Sequence, residues 1–158
     1  MEQRRLTKWA AISEIVAATA VVISLLFVAY SIKRNTDEME TSNSNFLYQL
    51  DAQVTGDLSR DPHLASIFIK VAEEEAISKV EKFQYMHVQH RYLTVWEVAW
   101  TQYKSGSLSL VDWQDWDTYL SENMTGALPK AWWTEIRSDY KPDFAEHVDS
   151  QYASEKLK

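Results

Sequence analysis

The pattern of apolar and polar positions changes character after the first forty residues. From Trp9 to Ile32 run 24 residues with one charge, Glu14. A hydrocarbon core about 30 Å thick is crossed by about 20 helical residues, so this stretch predicts one membrane-spanning helix. Trp9 and Tyr30 stand 21 residues apart. At a rise of ~1.5 Å per residue that is about 32 Å, one ring at each interface. Arg4, Arg5 and Lys8 flank one end, and Lys33 and Arg34 the other. Ala29-Tyr30-Ser31 has the small-x-small form of a signal-peptide cleavage site. The apolar run, however, exceeds the ~7–15 residues of a signal-peptide core, so it reads as an uncleaved anchor.

Beyond the anchor the pattern stays helical. Leu47, Leu50, Val54 and Leu58 follow i, i+3, i+7, i+11, which continues the first helix to about residue 60. Asp61-Pro62 starts the next helix, with Asp as N-cap and Pro at the first position. That helix carries Leu64, Ile67, Phe68 and Val71. Ser78-x-x-Glu81 is a capping box, opening a long helix that ends near Ser105 with Gly106 just past it. Tyr85, Val88, Tyr92, Val95, Trp96, Ala99 and Tyr103 fall on one arc of this helix, widened by Met86, Leu93 and Trp100. A stripe that wide predicts more than one packing neighbour. Ser109 caps a further helix with Trp113, Trp116, Tyr119 and Leu120; Pro129 and Pro142 start two short ones. Residues 155–158 are expected to fray.

The predicted fold class is all-α: an N-terminal transmembrane helix continuing into a long helix, then a compact bundle of about four to five further helices. Its parts are a basic N-terminal tail (1–8), the transmembrane helix (9–32), a helical extension (33–60) and an acidic, Trp-rich helical domain (61–158). No strand alternation, internal repeat or low-complexity tract is evident.

One face of the span is small. Ala10, Ser13, Ala17, Ala20, Ser24 and Ser31 recur near a 3.5-residue period. Small residues let helix backbones approach closely, and Ser can hydrogen-bond across the contact. Ser13, Ala17, Ala20 and Ser24 are therefore the candidate helix-association face. Glu14 is either a carboxylate at the interface facing Lys8 or Arg5, or a buried polar contact in an assembly. Three basic residues precede the span and two follow it, which leans toward a cytoplasmic N-terminus and a periplasmic domain.

Charge and composition narrow the function. The 158 residues include 16 Lys+Arg and 23 Asp+Glu. After residue 34 the balance is 11 to 21, a net charge of −10, which repels nucleic acid and anionic lipid surfaces. Three Gly and three Pro argue against a turn-rich β-sandwich. The absence of Cys excludes disulfides, zinc-thiolate sites and thiol nucleophiles.

Candidate chemistry is sparse. Six Trp fall between positions 96 and 133. They suit core packing, and Trp113, Trp116, Trp132 and Trp133 are candidate partner-docking aromatics. Neighbouring Trp132 and Trp133 are expected to place at least one ring at an edge. His87-x-x-His90 is the one paired-ligand spacing. With Glu97 two turns on, it could contribute to a divalent metal site, but Glu97 lies about 15 Å from His87 along the axis. A solvated helix face, with Thr94 and Thr101, fits better. There is no H-E-x-x-H, E-x-x-H, phosphate-binding glycine loop or serine elbow. No cofactor is predicted, no metal site is assigned, and the chain does not read as an enzyme.

Several stretches resemble a group of uncharacterised bacterial single-pass membrane proteins. They are Glu14-Ile15-Val16-Ala17-Ala18, Val21-Val22-Ile23-Ser24-Leu25, Ile32-Lys33-Arg34-Asn35-Thr36, Asp61-Pro62, Tyr103-x-x-Gly106-x-Leu108, and Trp132-Trp133 after a Gly-x-x-Pro turn. The resemblance implies an N-terminal span followed by a helical domain in a bacterial inner membrane, and it carries over no activity to this chain. Such proteins usually carry several basic residues after the span, which implies a cytoplasmic domain. Here Asp37, Glu38 and Glu40 occupy that stretch, and the charge count of this chain favours the periplasm.

The expected function is a non-catalytic, membrane-anchored accessory or scaffold subunit. Its partners would be membrane lipid and other transmembrane proteins, as a homo-oligomer or a larger complex, and not nucleic acid. The alternative is a membrane-tethered ligand-binding or sensing domain, which requires a concave apolar pocket lined by Trp96, Trp100 or Trp116.

Overall fold

Nothing before Asp61 stops a helix: residues 2–60 hold no proline and one glycine, Gly56. In the computed structural model they form α1 (Glu2–Arg60). The structure describes residues 2–153, with side chains for 8–10 and 12–153. Two units divide the chain between Met39 and Glu40.

In the first unit the basic residues expected as a tail are already helical from Glu2. The side chains of Arg4 and Arg5 lie outside the described residues. The stretch from Lys8 onward is long and apolar enough to cross a membrane, with a mean hydropathy of 2.5 in its best window and none of that window buried. Leu26 and Phe27 expose 66% and 68% of their surface. Hydroxyls on this stretch turn back onto their own backbone. Ser13, Thr19 and Ser31 donate to the carbonyls of Trp9, Ile15 and Phe27 at 2.9, 2.8 and 2.9 Å. That four-residue return bond leaves these hydroxyls satisfied without water.

The second unit takes in the end of α1 as well as the domain expected from residue 61. Leu47 and Val54 of α1 are buried in its core, so residues 40–60 are part of the domain. Five further helices follow: α2 (Pro62–Ala72), α3 (Lys79–Lys104), α4 (Leu110–Glu122), α5 (Ala127–Ile136) and α6 (Pro142–Ala153), with a 3-10 turn at Arg137–Asp139 before α6. No strand occurs among the described residues.

Local chemistry accounts for most helix ends. The Asp61 carboxylate accepts from the His63 and Leu64 N–H groups, ahead of Pro62. Ser78 and Glu81 form the reciprocal capping box, and Ser109 accepts from the Asp112 N–H. Gly106, past the end of α3, has φ +75°, a left-handed backbone that glycine adopts without a Cβ clash. Glu74 reaches φ 57° just past α2 without that freedom. Helix α5 starts at Ala127, two residues before Pro129. Proline is tolerated there because first-turn N–H groups have no intrahelical acceptor to lose.

The wide arc of α3 packs as its width requires. Tyr85, Val88, Tyr92, Leu93, Val95, Trp96 and Ala99 are buried, and α3 contacts α2, α4 and α5. Its opposite face is not simply solvated, as expected, but is covered in part by the segment entering α6. The Tyr140 hydroxyl and His90 Nδ1 share a hydrogen bond of 2.9 Å. The Lys141 N–H donates to Glu97 and its ammonium to Thr101, each at 2.9 Å. Residues 154–158, including the expected frayed tail, lie outside the described residues.

Candidate functional site

Three surfaces follow from the sequence reading: the small face of the anchor, the Trp cluster, and the pair of histidines. Ser13, Ala17, Ala20 and Ser24 recur at helical spacing on α1 and all four are exposed. Their neighbours Ile15, Val16, Val21 and Val22 are exposed too, so this stretch leaves apolar residues as well as the small face uncovered.

The four candidate docking aromatics are core residues instead. Trp113, Trp116, Trp132 and Trp133 expose 5, 6, 8 and 3% of their surface. Both members of the Trp132-Trp133 pair are inside, against expectation. Helix α5 sits in a corner: the Trp132 ring approaches His90 of α3, while Trp133 approaches Tyr140 and hydrogen-bonds α6. Neighbouring positions about 100° apart can then both be covered.

Indole N–H groups that leave water need acceptors, and in three cases an aspartate supplies one. Trp96 donates to Asp117 at 2.8 Å, Trp100 to Asp143 at 2.9 Å, and Trp133 to Asp149 at 2.9 Å. The Trp100 bond is the main reason the Asp143 carboxyl titrates below its ordinary value. Asp117 is the most heavily used of the three. Its Oδ1 also accepts from His147 Nε2 at 2.6 Å, and its Oδ2 from the Gln151 amide at 3.1 Å. Trp96 and Trp100 are four apart on α3, as are His147 and Gln151 on α6, so each pair shares a face. The His147 ring stacks on Trp100, 4.6 Å between centroids and 24° between planes. Asp117 of α4 thus ties α3 to α6 beneath a ring cluster. The arrangement fixes helix positions.

His87, His90 and Glu97 each meet other partners. Glu97 and His90 are engaged by the residue 140–141 segment, as above, and His87 packs its ring 4.2 Å from that of Phe83. Among the described residues, no group of three or more His, Asp or Glu side chains is placed to hold a metal ion.

The structure adds a feature that the sequence reading expected only in outline, a concavity bordered by Trp116. It measures about 310 Å³ and is lined by Tyr48 and Asp51 of α1 with Asp112, Asp115, Trp116 and Tyr119 of α4. The signal was present as i, i+3 and i+7 spacing on α4 but needed its counterpart on α1. Trp96 and Trp100 do not line it. A second, larger concavity of about 690 Å³ lies among α2, α3 and the α4–α5 turn, lined by residues that include Phe68, Tyr85, Gln89 and Leu128.

No protein-family model matches this chain, and neither a curated protein nor a solved structure matches it.

Proposed function

We propose that this protein is a single-pass bacterial inner-membrane protein, with residues 9–32 in the bilayer, that serves as a non-catalytic accessory or scaffold subunit. The observation that carries the reading is the surface of α1 before Met39. Burying a large aliphatic or aromatic side chain is worth about 1.5–3 kcal/mol, yet this segment leaves Trp9, Ile15, Val16, Val21, Val22, Ile23, Leu25, Leu26, Phe27 and Tyr30 each more than half exposed. A bilayer removes that cost, and the internally bonded Ser and Thr hydroxyls suit it. The resemblance to bacterial single-pass proteins points the same way.

Within the bilayer, Ser13, Ala17, Ala20 and Ser24 form the contact with a second transmembrane helix. The helical domain is held together by the bonds from the Trp96, Trp100 and Trp133 indoles to aspartates. The positive charges before the span favour a periplasmic domain.

The test is the native mass of the full chain, extracted in mild detergent from its own membrane, for wild type and for Ala17→Leu and Ala20→Leu. The wild type is expected in an assembly larger than one 18.4 kDa chain with its detergent, and both variants in a smaller one at unchanged membrane insertion. A monomeric wild type, or variants with wild-type mass, would refute the association face.

A further inference from the structure

We propose that the concavity between α1 and α4 is a binding site for a small organic cation of the quaternary-ammonium class. Every residue that lines it is either aromatic or acidic: Tyr48, Trp116 and Tyr119 supply rings, and Asp51, Asp112 and Asp115 supply carboxylates. No Lys, Arg or His is among them. The rings form a cage rather than a stack. Tyr48 and Trp116 are 5.1 Å apart at 51°, and Trp116 and Tyr119 are 6.0 Å apart at 71°. The rings are in contact with one another at these spacings, and the quadrupole of a ring attracts a cation that lies over its open face. The concavity's volume of about 310 Å³ stands at the small end of the range for ligand sites, about 300–1,000 Å³.

Two details separate this cage from ordinary core packing. Tyr48 leaves 62% of its surface in solvent while its ring borders Trp116, so its ring is available to a ligand. The acceptors are also held in place before any ligand arrives. The Tyr119 hydroxyl donates to Asp51 at 3.0 Å, and the Ser109 hydroxyl to Asp112 at 2.8 Å.

A quaternary ammonium fits this chemistry better than a primary one. It carries no N–H to match to an acceptor, loses little hydration, and spreads its charge over methyl groups that pack on rings. An anion is repelled by three carboxylates, and a neutral apolar molecule gains nothing from them. The same trimethylammonium group occurs free and on lipid headgroups. The acidic lining selects the free form, because a headgroup brings a phosphate with it. The inference does not depend on the scaffold reading, which native mass tests separately.

The experiment is ligand-observed saturation-transfer NMR on the full chain in maltoside micelles. Choline, glycerophosphocholine and the neutral isostere 3,3-dimethyl-1-butanol are titrated in turn. Saturable binding is expected for choline, at least about threefold weaker binding for the other two. Tyr48→Ala and Asp115→Asn, both at exposed positions, are expected to weaken choline at least about threefold with unchanged far-UV circular dichroism. Four results would overturn the assignment: no saturable choline binding, equal binding of the neutral isostere, glycerophosphocholine binding as tightly as choline, or choline binding untouched by both variants.

Discussion

Asp117→Ala removes one acceptor from three donors on two other helices, and its cost can be worked from their burial. Trp96 is fully buried, so its indole N–H would be left without a partner, at about 1–3 kcal/mol. His147 is about one-seventh exposed at its side chain, so water can replace part of its bond, and the loss there is about 1 kcal/mol. The Gln151 amide is buried as well and adds about 0.5 kcal/mol. The sum is about 2.5–4.5 kcal/mol, a large share of the 5–15 kcal/mol that holds a typical domain together. With a urea slope of ~1.5 kcal/mol/M, the midpoint falls by about 2–3 M. Tryptophan fluorescence of the full chain in mild detergent reads this directly, because the rings around Trp96 report the loss of packing. Asp115→Ala is the control: it lies two residues away on α4 but is exposed, and should change stability by less than about 0.5 kcal/mol. Asp117→Asn keeps one acceptor oxygen while pointing an NH₂ group at a donor, and should fall between the two. If Asp117→Ala unfolds within 0.5 kcal/mol of wild type, about the error of the comparison, the junction does not hold α3, α4 and α6 together.

Two further predictions concern the α2–α3 connection. Lys70 donates to Glu81 at 2.6 Å, and the Ser78 backbone and side chain add hydrogen bonds; together, with Lys70 leading, they hold the Glu81 carboxyl at about 2 against an ordinary 4.5. A depressed carboxyl stabilises the fold fully above its unfolded value and loses that contribution as pH falls from about 4.5 toward 2. The melting-temperature gap between wild type and Glu81→Gln should therefore be open at pH 6 and narrow at pH 2.5; a gap of constant size would contradict the pairing. Glu74→Gly relieves a left-handed backbone at the end of α2. Thermal unfolding should show a gain of about 0.5–1 kcal/mol, and a loss would mean that the Glu74 side chain contributes more than its backbone costs.

What was legible in the sequence follows from distance along the chain. The Asp61-Pro62 start, the Ser78–Glu81 box, the Ser109 cap and the Gly106 stop each act within four residues, and all appear where the pattern put them. The buried arc of α3 was legible because its period is local. The pairings of Trp96, Trp100 and Trp133 with Asp117, Asp143 and Asp149 span 21, 43 and 16 residues. With 23 Asp and Glu in the chain, spacing alone could not select the three that serve. The same limit explains Trp132 and Trp133: one helix wheel cannot show that α5 lies in a corner. It also explains the covered face of α3, since only the path of the chain after the 3-10 turn brings Tyr140 and Lys141 onto it. The cage at Trp116 joins both cases, its α4 half a local pattern and its α1 half supplied by residues about 65 positions earlier.

The central claim is that residues 9–32 remain in the protein and lie in a bilayer. Intact-mass spectrometry on membranes washed with alkaline carbonate addresses both halves at once. The account predicts that the chain stays in the washed membrane pellet at its full 18.4 kDa. A shorter chain beginning after residue 31 and released into the supernatant would contradict it. That outcome would make the apolar segment a cleaved export signal.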